Sequence, residues 1–348
     1  MIIVKITPGL GNQMAQFAFY LKQCTAHKDV KIDNITDFHW FAKRHHNGYE
    51  LEKIFHIEGN YASFKDITRL SKYKNVRMMI IVQRIIWALK KKSISKNNNF
   101  LITSKQSTSL NDDIPGNSAI LSYIKSYVKK IIYNNNAKYF VEDNNTFYED
   151  FLENTDIYYI GHWLNIDYYC DIMDSIYEVF SFKKKLDIKN EEMLRIISTC
   201  CSVSVHIRRG DYLSYNNVFK KLGVKYYSEA IAFLEEKLQC KPTYFIFSDD
   251  TSWAKDNFVF FEDRQVYFID WNSGENSYID MQLMSNCKHN IIANSSFSWW
   301  ASLLNHFEDK IIISPENYYT DEYKVKTGKK DDTLLRYPEN VAHFKIKN

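Results

Sequence analysis

The sequence predicts an α/β protein with two parallel, doubly wound sheets. Its 348 residues exceed what one hydrophobic core usually serves, so two domains are expected. Apolar strand candidates alternate with helical segments between residues 191 and 314, which is the pattern of a parallel sheet with crossover helices. The chain has only 10 Gly and 5 Pro, too few for a series of tight hairpins.

The first domain, expected over residues 1–185, opens with a strand and a helix. Residues 2–7 are apolar, residues 8–12 are turn formers, and residues 13–26 carry aromatic side chains at helical spacing. Residues from about 60 to 150 are rich in Lys, Asn and Ser. We interpret them as helical elaboration with loops.

The second domain, expected over residues 186–348, has the clearer pattern. Five runs predict strands, at residues 201–207, 243–247, 266–269, 290–293 and 310–314. Four runs predict helices, at residues 191–198, 226–238, 278–287 and 298–304. Ligands of open parallel sheets bind beyond the carboxyl ends of the strands. The residues that follow each strand are therefore the candidates for function.

Composition excludes several classes of protein. Phe and Tyr together number 48, a load that disordered chains do not carry. The net charge of +3 makes nucleic acid an unexpected partner. Six cysteines without C-x-x-C spacing indicate a reducing compartment and no zinc site. The first residues lack the pattern of a signal peptide and no run is long enough to span a bilayer, so we expect a cytoplasmic protein.

One apolar segment, residues 78–89, has basic flanks and is interrupted by Gln83 and Arg84. Two interpretations stay open. The segment forms either a buried or groove-lining helix, or a peripheral contact with an anionic membrane through residues 72–92.

Two adjacent arginines follow the first strand of the second domain. Arg208 and Arg209 require anionic partners, and the planar guanidinium fork matches a pyrophosphate. This predicts a phosphate clamp. The alternative is an interdomain salt-bridge cluster in which Asp211 pairs with one arginine.

A second candidate loop joins a strand to a helix and contains Ser295 and Ser296. A helix N-terminus offers free N–H groups and the positive end of the helix dipole to an anion. The alternative is plain N-capping by Ser296, with Trp299 and Trp300 in the core.

Two further loops give weaker signals. Gly9, Gly11 and Asn12 follow the first strand and permit close backbone approach to a ligand, but they do not form the dinucleotide G-x-G-x-x-G pattern. Asp249 and Asp250 end another strand. A metal site there lacks a third ligand, so helix capping is the better prediction.

Four motifs in order along the chain, GLGNQM, HIRRGDYL, FSDD and LMSNCKHNIIANSSFSWW, resemble the α-1,2-fucosyltransferases of glycosyltransferase family 11. The resemblance implies a GT-B-like fold of two Rossmann-like domains facing across a cleft. It implies inverting transfer of L-fucose from GDP-β-L-fucose to the 2-hydroxyl of a β-galactoside, with no metal and no other cofactor.

The resemblance also implies residue roles. Arg208 matches the essential arginine of the family, and Arg209 supports it. His206 and Asp280 resemble a pair that reads guanine, although His206 could instead be a strand-end histidine packed in the seam. Asp211 is a candidate base that could equally orient Arg208. The donor side is then expected to comprise His206, Arg208, Arg209, Asp280, Ser295, Ser296, Gly9, Gly11 and Asn12.

The acceptor side is expected near His162 and Trp163, where the segment GHWLNI stands in place of the usual G-Y-W-Q-S-E. This departure leaves the acceptor sugar open. The implied partners are GDP-fucose and a galactose-containing glycan of a bacterial surface polysaccharide, free or lipid-linked. Two rival interpretations remain: a GT-B enzyme that uses another GDP-sugar, and a non-catalytic carbohydrate-binding protein with many Tyr and Trp residues.

Overall fold

The computed structural model describes residues 1–38, 47–71, 139–141, 156–215, 217–258, 263–331 and 334–348. Within these ranges the chain forms a four-stranded and a six-stranded sheet, and every strand pair in both is parallel. The predicted α/β class with two parallel sheets is confirmed. The apolar segment 78–89 lies outside the described residues, as does nearly all of the elaboration at 60–150.

The first sheet has the strand order β2-β1-β4-β3. Its strands are β1 (Ile2–Lys5), β2 (Val30–Asp33), β3 (Tyr139–Val141) and β4 (Ile157–Ile160). Three helices accompany it, α1 (Leu10–Ala26), α2 (Leu51–Phe55) and α3 (Phe64–Leu70). β1 lies between β2 and β4, and its apolar side chains are buried on both faces, as expected of a central parallel strand.

The helix α1 begins three residues earlier than the sequence predicts. Gly9 precedes it with a φ of 99°, a value that glycine reaches without strain. Gly11 and Asn12 therefore belong to the first helical turn instead of an open loop.

The second sheet has the order β10-β9-β8-β5-β6-β7. Its strands are β5 (Ser202–Ile207), β6 (Thr243–Ser248), β7 (Val266–Ile269), β8 (His289–Ile291), β9 (Ile311–Pro315) and β10 (Ala342–Ile346). Its helices, with the connecting α4, are α4 (Met173–Val179), α5 (Ile188–Thr199), α6 (Val224–Leu238), α7 (Thr251–Asn257), α8 (Tyr278–Ser285), α9 (Ser296–Leu303) and α10 (Asp321–Thr327).

The two halves share a buried aromatic core. The Phe180 ring lies 6.2 Å from the Phe17 ring of α1 and 5.2 Å from the Trp300 ring of α9. Trp299 and Trp300 are fully buried, as the sequence predicts for the core. Burial of aromatic surface on this scale fixes the position of one sheet relative to the other. None of the helices that the structure describes has both the length and the apolar character to cross a bilayer.

Candidate active site

Arg208 lies directly beyond β5 and is held at the carboxyl edge of the second sheet. Its Nη1 is 2.8 Å from Oδ2 of Asp249, which follows the neighbouring strand β6. The guanidinium also lies 5.6 Å from the centre of the Tyr212 ring. About a quarter of the side chain, 26%, remains exposed. The guanidinium is thus oriented by protein groups and still accessible to an anionic ligand.

Arg209 is more firmly fixed. Its Nε lies 3.1 Å from Oδ2 of Asp250, and its guanidinium stacks 3.8 Å from the centre of the Trp253 ring. The Arg209 amide also donates to Oδ1 of Asp249 at 2.8 Å. This geometry makes Arg209 a rigid support beside Arg208.

The two aspartates account for the anionic partners that the arginines require. Asp250 caps α7 by accepting from the Trp253 amide at 3.2 Å, which confirms the predicted capping. Asp249 instead pairs with Arg208. The ion pairs described for the two arginines are made within the second half, by Asp249 and Asp250. The alternative in which Asp211 pairs with one of them lies outside the described side chains. The side chain of Asp211, the candidate base, is not among the described ones.

The serine loop lies where the N-termini of α1 and α9 meet. Ser295, not Ser296, is the N-cap of α9, and its Oγ accepts from the Phe297 amide at 3.4 Å. The Ser296 hydroxyl donates to Oδ1 of Asn12 at 2.9 Å. A Cβ added to Gly11 would lie 2.5 Å from the Ser296 carbonyl carbon. The close approach that Gly11 permits is therefore made, in this structure, with α9.

His206 is the penultimate residue of β5 and is 6% exposed. Its Nδ1 has no hydrogen-bond partner among the described residues. Burial, reinforced by the nearby Arg208 charge, lowers the pKa of His206 to about 4, so the ring is neutral at pH 7. A buried, unsatisfied ring nitrogen is unusual for a purely structural histidine.

Asp280 lies in the first turn of α8, and its Oδ1 accepts from Nδ2 of Asn272 at 2.8 Å. Asn272 donates in turn to Asn190, which lies in the first turn of α5. Burial raises the pKa of Asp280 to about 7. Among the described contacts none joins Asp280 to His206. Their joint role in reading guanine remains a prediction.

His162 and Trp163 follow β4 at the carboxyl edge of the first sheet. Trp163 is fully buried and stacks on the Phe19 ring at 3.8 Å between centroids. His162 is exposed. The two adjacent residues therefore lie in different environments, Trp163 in the core and His162 at the exposed edge of the sheet.

Among the residues that the structure describes, no group of three or more His, Cys, Asp or Glu side chains is arranged to hold a metal ion. Metal independence remains a prediction.

A cavity of about 490 Å³ lies at the opposite, amino-terminal edge of the second sheet. Its lining includes Ser198, Lys288 and His306, which precede β5, β8 and β9 respectively. It contains none of the residues that the sequence predicts for the site. We therefore base the candidate site on the carboxyl edge.

Sequence reasoning missed the groups that orient the clamp. Tyr212 donates its hydroxyl to the Asn294 carbonyl at 2.9 Å, and Trp253 supports Arg209. The sequence predicts helix capping for both Asp249 and Asp250, but Asp249 pairs with Arg208 instead. The adjacency of β5 and β6 in a parallel sheet is the signal that could have paired it with Arg208.

The two parallel α/β halves, with paired arginines beyond a central strand, agree with what the sequence resemblance implies. The sequence profile described as glycosyl transferase family 11 matches residues 1–336, and the chain belongs to this family.

Relatives support the same assignment. An α-1,2-colitosyltransferase of Escherichia coli is 30% identical over 327 residues, which cover 92% of this chain and 93% of that protein. The O-antigen biosynthesis glycosyltransferase WbnK of Escherichia coli is 43% identical over 128 residues, 36% of this chain and 41% of that protein.

Solved structures with a similar course of the chain include two fucosyltransferases. NodZ from Bradyrhizobium has 11% identity and a TM-score of 0.43, with 91% of this chain and 96% of that chain covered. FUT1 of Arabidopsis thaliana in complex with GDP has 9% identity and a TM-score of 0.40, with 96% and 73% covered.

Proposed function

We propose that this glycosyltransferase is an inverting α-1,2-fucosyltransferase. It moves L-fucose from GDP-β-L-fucose to the 2-hydroxyl of a β-galactoside in a cell-surface glycan. The observation that carries the proposal is Arg208, a guanidinium oriented by Asp249 and Tyr212 at the carboxyl edge and still 26% exposed. Such a fork suits the β-phosphate of a leaving GDP.

The chemistry follows from charge. As the bond between the sugar C1 and the β-phosphate oxygen breaks, negative charge grows on GDP and positive charge grows on the sugar ring. Arg208 neutralises the negative charge on GDP, and Arg209 holds the backbone at Arg208 rigid. The positive end of the α9 dipole adds to the same field. The acceptor oxygen attacks from the opposite face, which converts the β-linked donor into an α-linked product.

Ser295, Ser296, Gly11 and Asn12 act in this proposal by positioning. The Ser295 hydroxyl caps α9 and the Ser296 hydroxyl binds Asn12, so both already have protein partners. Their contribution is to fix the N-terminus of α9 beside the clamp. Gly9 starts α1 at the angle that this contact requires.

Guanine recognition is proposed for two separate groups. The unsatisfied Nδ1 of His206 is the kind of acceptor that a base N–H would satisfy. Asp280 offers a carboxyl group suited to the guanine N1–H and amino group. The Asn272 contact would orient that carboxyl group.

Transfer of a sugar other than fucose is the second candidate function, because the chain is 30% identical to a colitosyltransferase over 92% of its length. A donor screen discriminates between the two. GDP-fucose, the GDP derivative of colitose, GDP-mannose and UDP-galactose are each offered with a β-galactoside, and release of the nucleotide is measured. The proposal expects the fastest turnover with GDP-fucose. If another GDP-sugar is turned over faster, the proposed role of Arg208 stands and the proposed donor sugar is wrong.

A non-catalytic carbohydrate-binding protein is the remaining alternative. It would show no nucleotide release with any donor at any protein concentration. It also has no need of the oriented arginines.

The partners and location follow from the same proposal. The acceptor is a galactose-containing glycan, and the O-antigen role of the relative WbnK suggests a surface polysaccharide. We place the enzyme in the cytoplasm, with residues 72–92 as a candidate contact with the inner membrane.

A further inference from the structure

The transfer requires a group that takes the proton of the acceptor hydroxyl. The two carboxylates that follow β6 are not free for this task, because Asp249 and Asp250 are engaged by Arg208 and Arg209. The following inference rests on the proposed function and concerns the acceptor half of the same site.

His162 lies beside the contact between the two halves. The preceding carbonyl, that of Gly161, accepts from Nε2 of Gln16 at 2.7 Å. The same amide nitrogen donates to the Thr7 hydroxyl at 2.8 Å. His162 is thereby tied to the segment that follows β1. Within four residues this segment reaches Gly11, which touches α9 next to the clamp.

Trp163 directs the His162 side chain outward. Trp163 adopts a φ of 55°, a conformation that is strained for a bulky residue and that persists only when its surroundings impose it. Here the fully buried indole, stacked on Phe19, imposes it. The turn buries one side chain and leaves its neighbour exposed.

Among the described residues, the charged groups that influence the pKa of His162 are two lysines. Lys5 projects from the end of β1 and is paired with Asp37 at 2.8 Å, and Lys329 comes from the loop after α10. Enclosure by protein is the first cause that lowers the pKa of His162 below 6.5, and the ammonium groups of Lys329 and Lys5 act in the same direction. The residue as a whole is exposed to solvent. The imidazole is therefore neutral and accessible at pH 7.

A series of contacts runs from Lys329, which influences the pKa of His162, to the clamp. The Lys329 ammonium lies 5.4 Å from the Tyr319 ring centre. The Tyr319 ring lies 6.2 Å from that of Phe219, which stacks on Tyr212 at 4.3 Å. The Arg208 guanidinium lies 5.6 Å from the centre of the Tyr212 ring. Aromatic faces beside a cationic clamp are also suitable platforms for a sugar ring.

We propose that His162 is the general base of the transfer. An imidazole nitrogen takes the proton from the 2-hydroxyl of the galactoside as the bond from that oxygen to C1 of the fucosyl group forms. The bond from C1 to the phosphate oxygen breaks at the same time, and GDP leaves with the electron pair. The imidazolium then returns its proton to water.

The test compares His162→Gln and His162→Asn with the wild type. At saturating GDP-fucose we expect kcat to fall on the order of 100-fold or more, the contribution typical of general base catalysis. The Kd for GDP should stay within about twofold, because the donor clamp is untouched. Added imidazole should restore part of the rate. His56→Asn is the matched control: His56 is an exposed histidine with a φ of 55°, a conformation that Asn tolerates.

The pH profile gives a second readout besides the size of the rate loss. The wild-type kcat should fall as pH decreases below the lowered pKa of His162, because the base becomes protonated. Both variants should lose this acid limb. Burial and the neighbouring cations lower the pKa of His162 to about 4, so the acid limb should appear only near that pH. An acid limb centred at about pH 6 or above that both variants retain would overturn the assignment.

Two failures can be told apart. If the wild type transfers fucose while both variants keep turnover within about threefold of it, His162 is not the base and the proposed function stands. If the wild type transfers no fucose from GDP-fucose, the proposed function fails and the assignment of the base falls with it.

Discussion

The ion pair between Arg208 and Asp249 is the central electrostatic feature at the scale of single residues. Asp249 contacts the Arg208 guanidinium at 2.8 Å and accepts from the Arg209 amide at 2.8 Å. It therefore orients the arginine before any ligand arrives. Preorganised charge of this kind stabilises a leaving group without reorganisation during the reaction.

Removal of Arg208 should abolish transfer. We expect Arg208→Ala to lower kcat/KM on the order of 100-fold or more, since a charge-assisted contact to the leaving group is lost in the transition state. Arg208→Lys should recover little, because an ammonium lacks the planar fork. Arg195→Ala, at an exposed arginine of α5, is the control in the same steady-state assay. Near-normal turnover of a folded Arg208→Ala protein would remove it from the clamp.

Asp280 should make stability depend on pH. Its pKa is raised from 3.8 to about 7 in the folded protein, so the folded state binds more protons than the unfolded state between these values. Stability then falls as pH rises through that window. Asp280→Asn should remove this slope and raise the free energy of unfolding above pH 7, on the order of 1 kcal/mol. Urea titrations at several pH values measure it, and a parallel slope in wild type and variant would contradict the shift.

The same substitutions separate stability from recognition. Asp280→Ala should weaken GDP binding, whereas Asp280→Asn keeps an acceptor for guanine and should preserve part of the affinity. Calorimetric titration with GDP distinguishes them. Equal and small effects would move Asp280 out of the nucleotide site.

The individual residues were predicted unevenly, for a physical reason. Arg208 and Asp250 could be anticipated because a charge or a cap next to a buried strand has local requirements. The contact of Asn12 with Ser296 spans 284 positions, and nothing in either local sequence encodes it. Asp280 contacts Asn272 from the loop after β7, and Asn272 contacts Asn190 of α5. Local sequence predicts neither contact.

At the scale of elements, the contact between α1 and α9 joins the two halves beside the clamp. Its closest point is Gly11, where an added Cβ would meet the Ser296 backbone at 2.5 Å. Backbone cannot rotate away as a side chain can. The helices must separate if any other residue occupies this position.

Gly11→Ala should therefore destabilise the protein by about 1–3 kcal/mol and lower turnover by displacing the N-terminus of α9. Gly223→Ala is the control, because no atom lies within 4 Å of its added Cβ. The control precedes α6 as its N-cap and should cost no more than about 1 kcal/mol. Denaturant midpoints of both variants check the difference. Equal midpoints would show that the helices do not meet as closely as described.

The elements themselves were predicted best where an apolar run is unbroken. β5, β6 and β7 start and end within one residue of the sequence prediction, because apolar runs flanked by polar residues leave little choice of register. The edge strand β10 was missed, since none of its side chains is fully buried and His343 and Lys345 interrupt its apolar residues. The early start of α1 was missed because glycine was interpreted as a helix breaker.

At the scale of the whole molecule, the layout brings the carboxyl edge of the first sheet, with His162, and that of the second sheet, with Arg208, to either side of the contact between α1 and α9. Donor and acceptor groups would then belong to different halves. The two-sheet plan was predictable from strand and helix alternation. The boundary at residues 185 and 186 remains a prediction.

Transfer should continue in the presence of EDTA. The charge of the leaving phosphate is met by Arg208 and the end of α9, and in the described part of the chain Asp249 and Asp250 are engaged by arginines. We expect the rate after dialysis against chelator to match the untreated rate. Loss of activity that Mg²⁺ or Mn²⁺ restores would make these aspartates ligand candidates again.

The most direct test of the account is the structure of the product. The wild-type enzyme is incubated with GDP-β-L-fucose and a β-galactoside, and the linkage and anomeric configuration of the product are determined by NMR. The account predicts a single fucosyl group in α configuration on the galactose 2-hydroxyl, because the acceptor attacks opposite the leaving GDP. A β-linked product, a linkage to another hydroxyl, or no product despite GDP binding would contradict it.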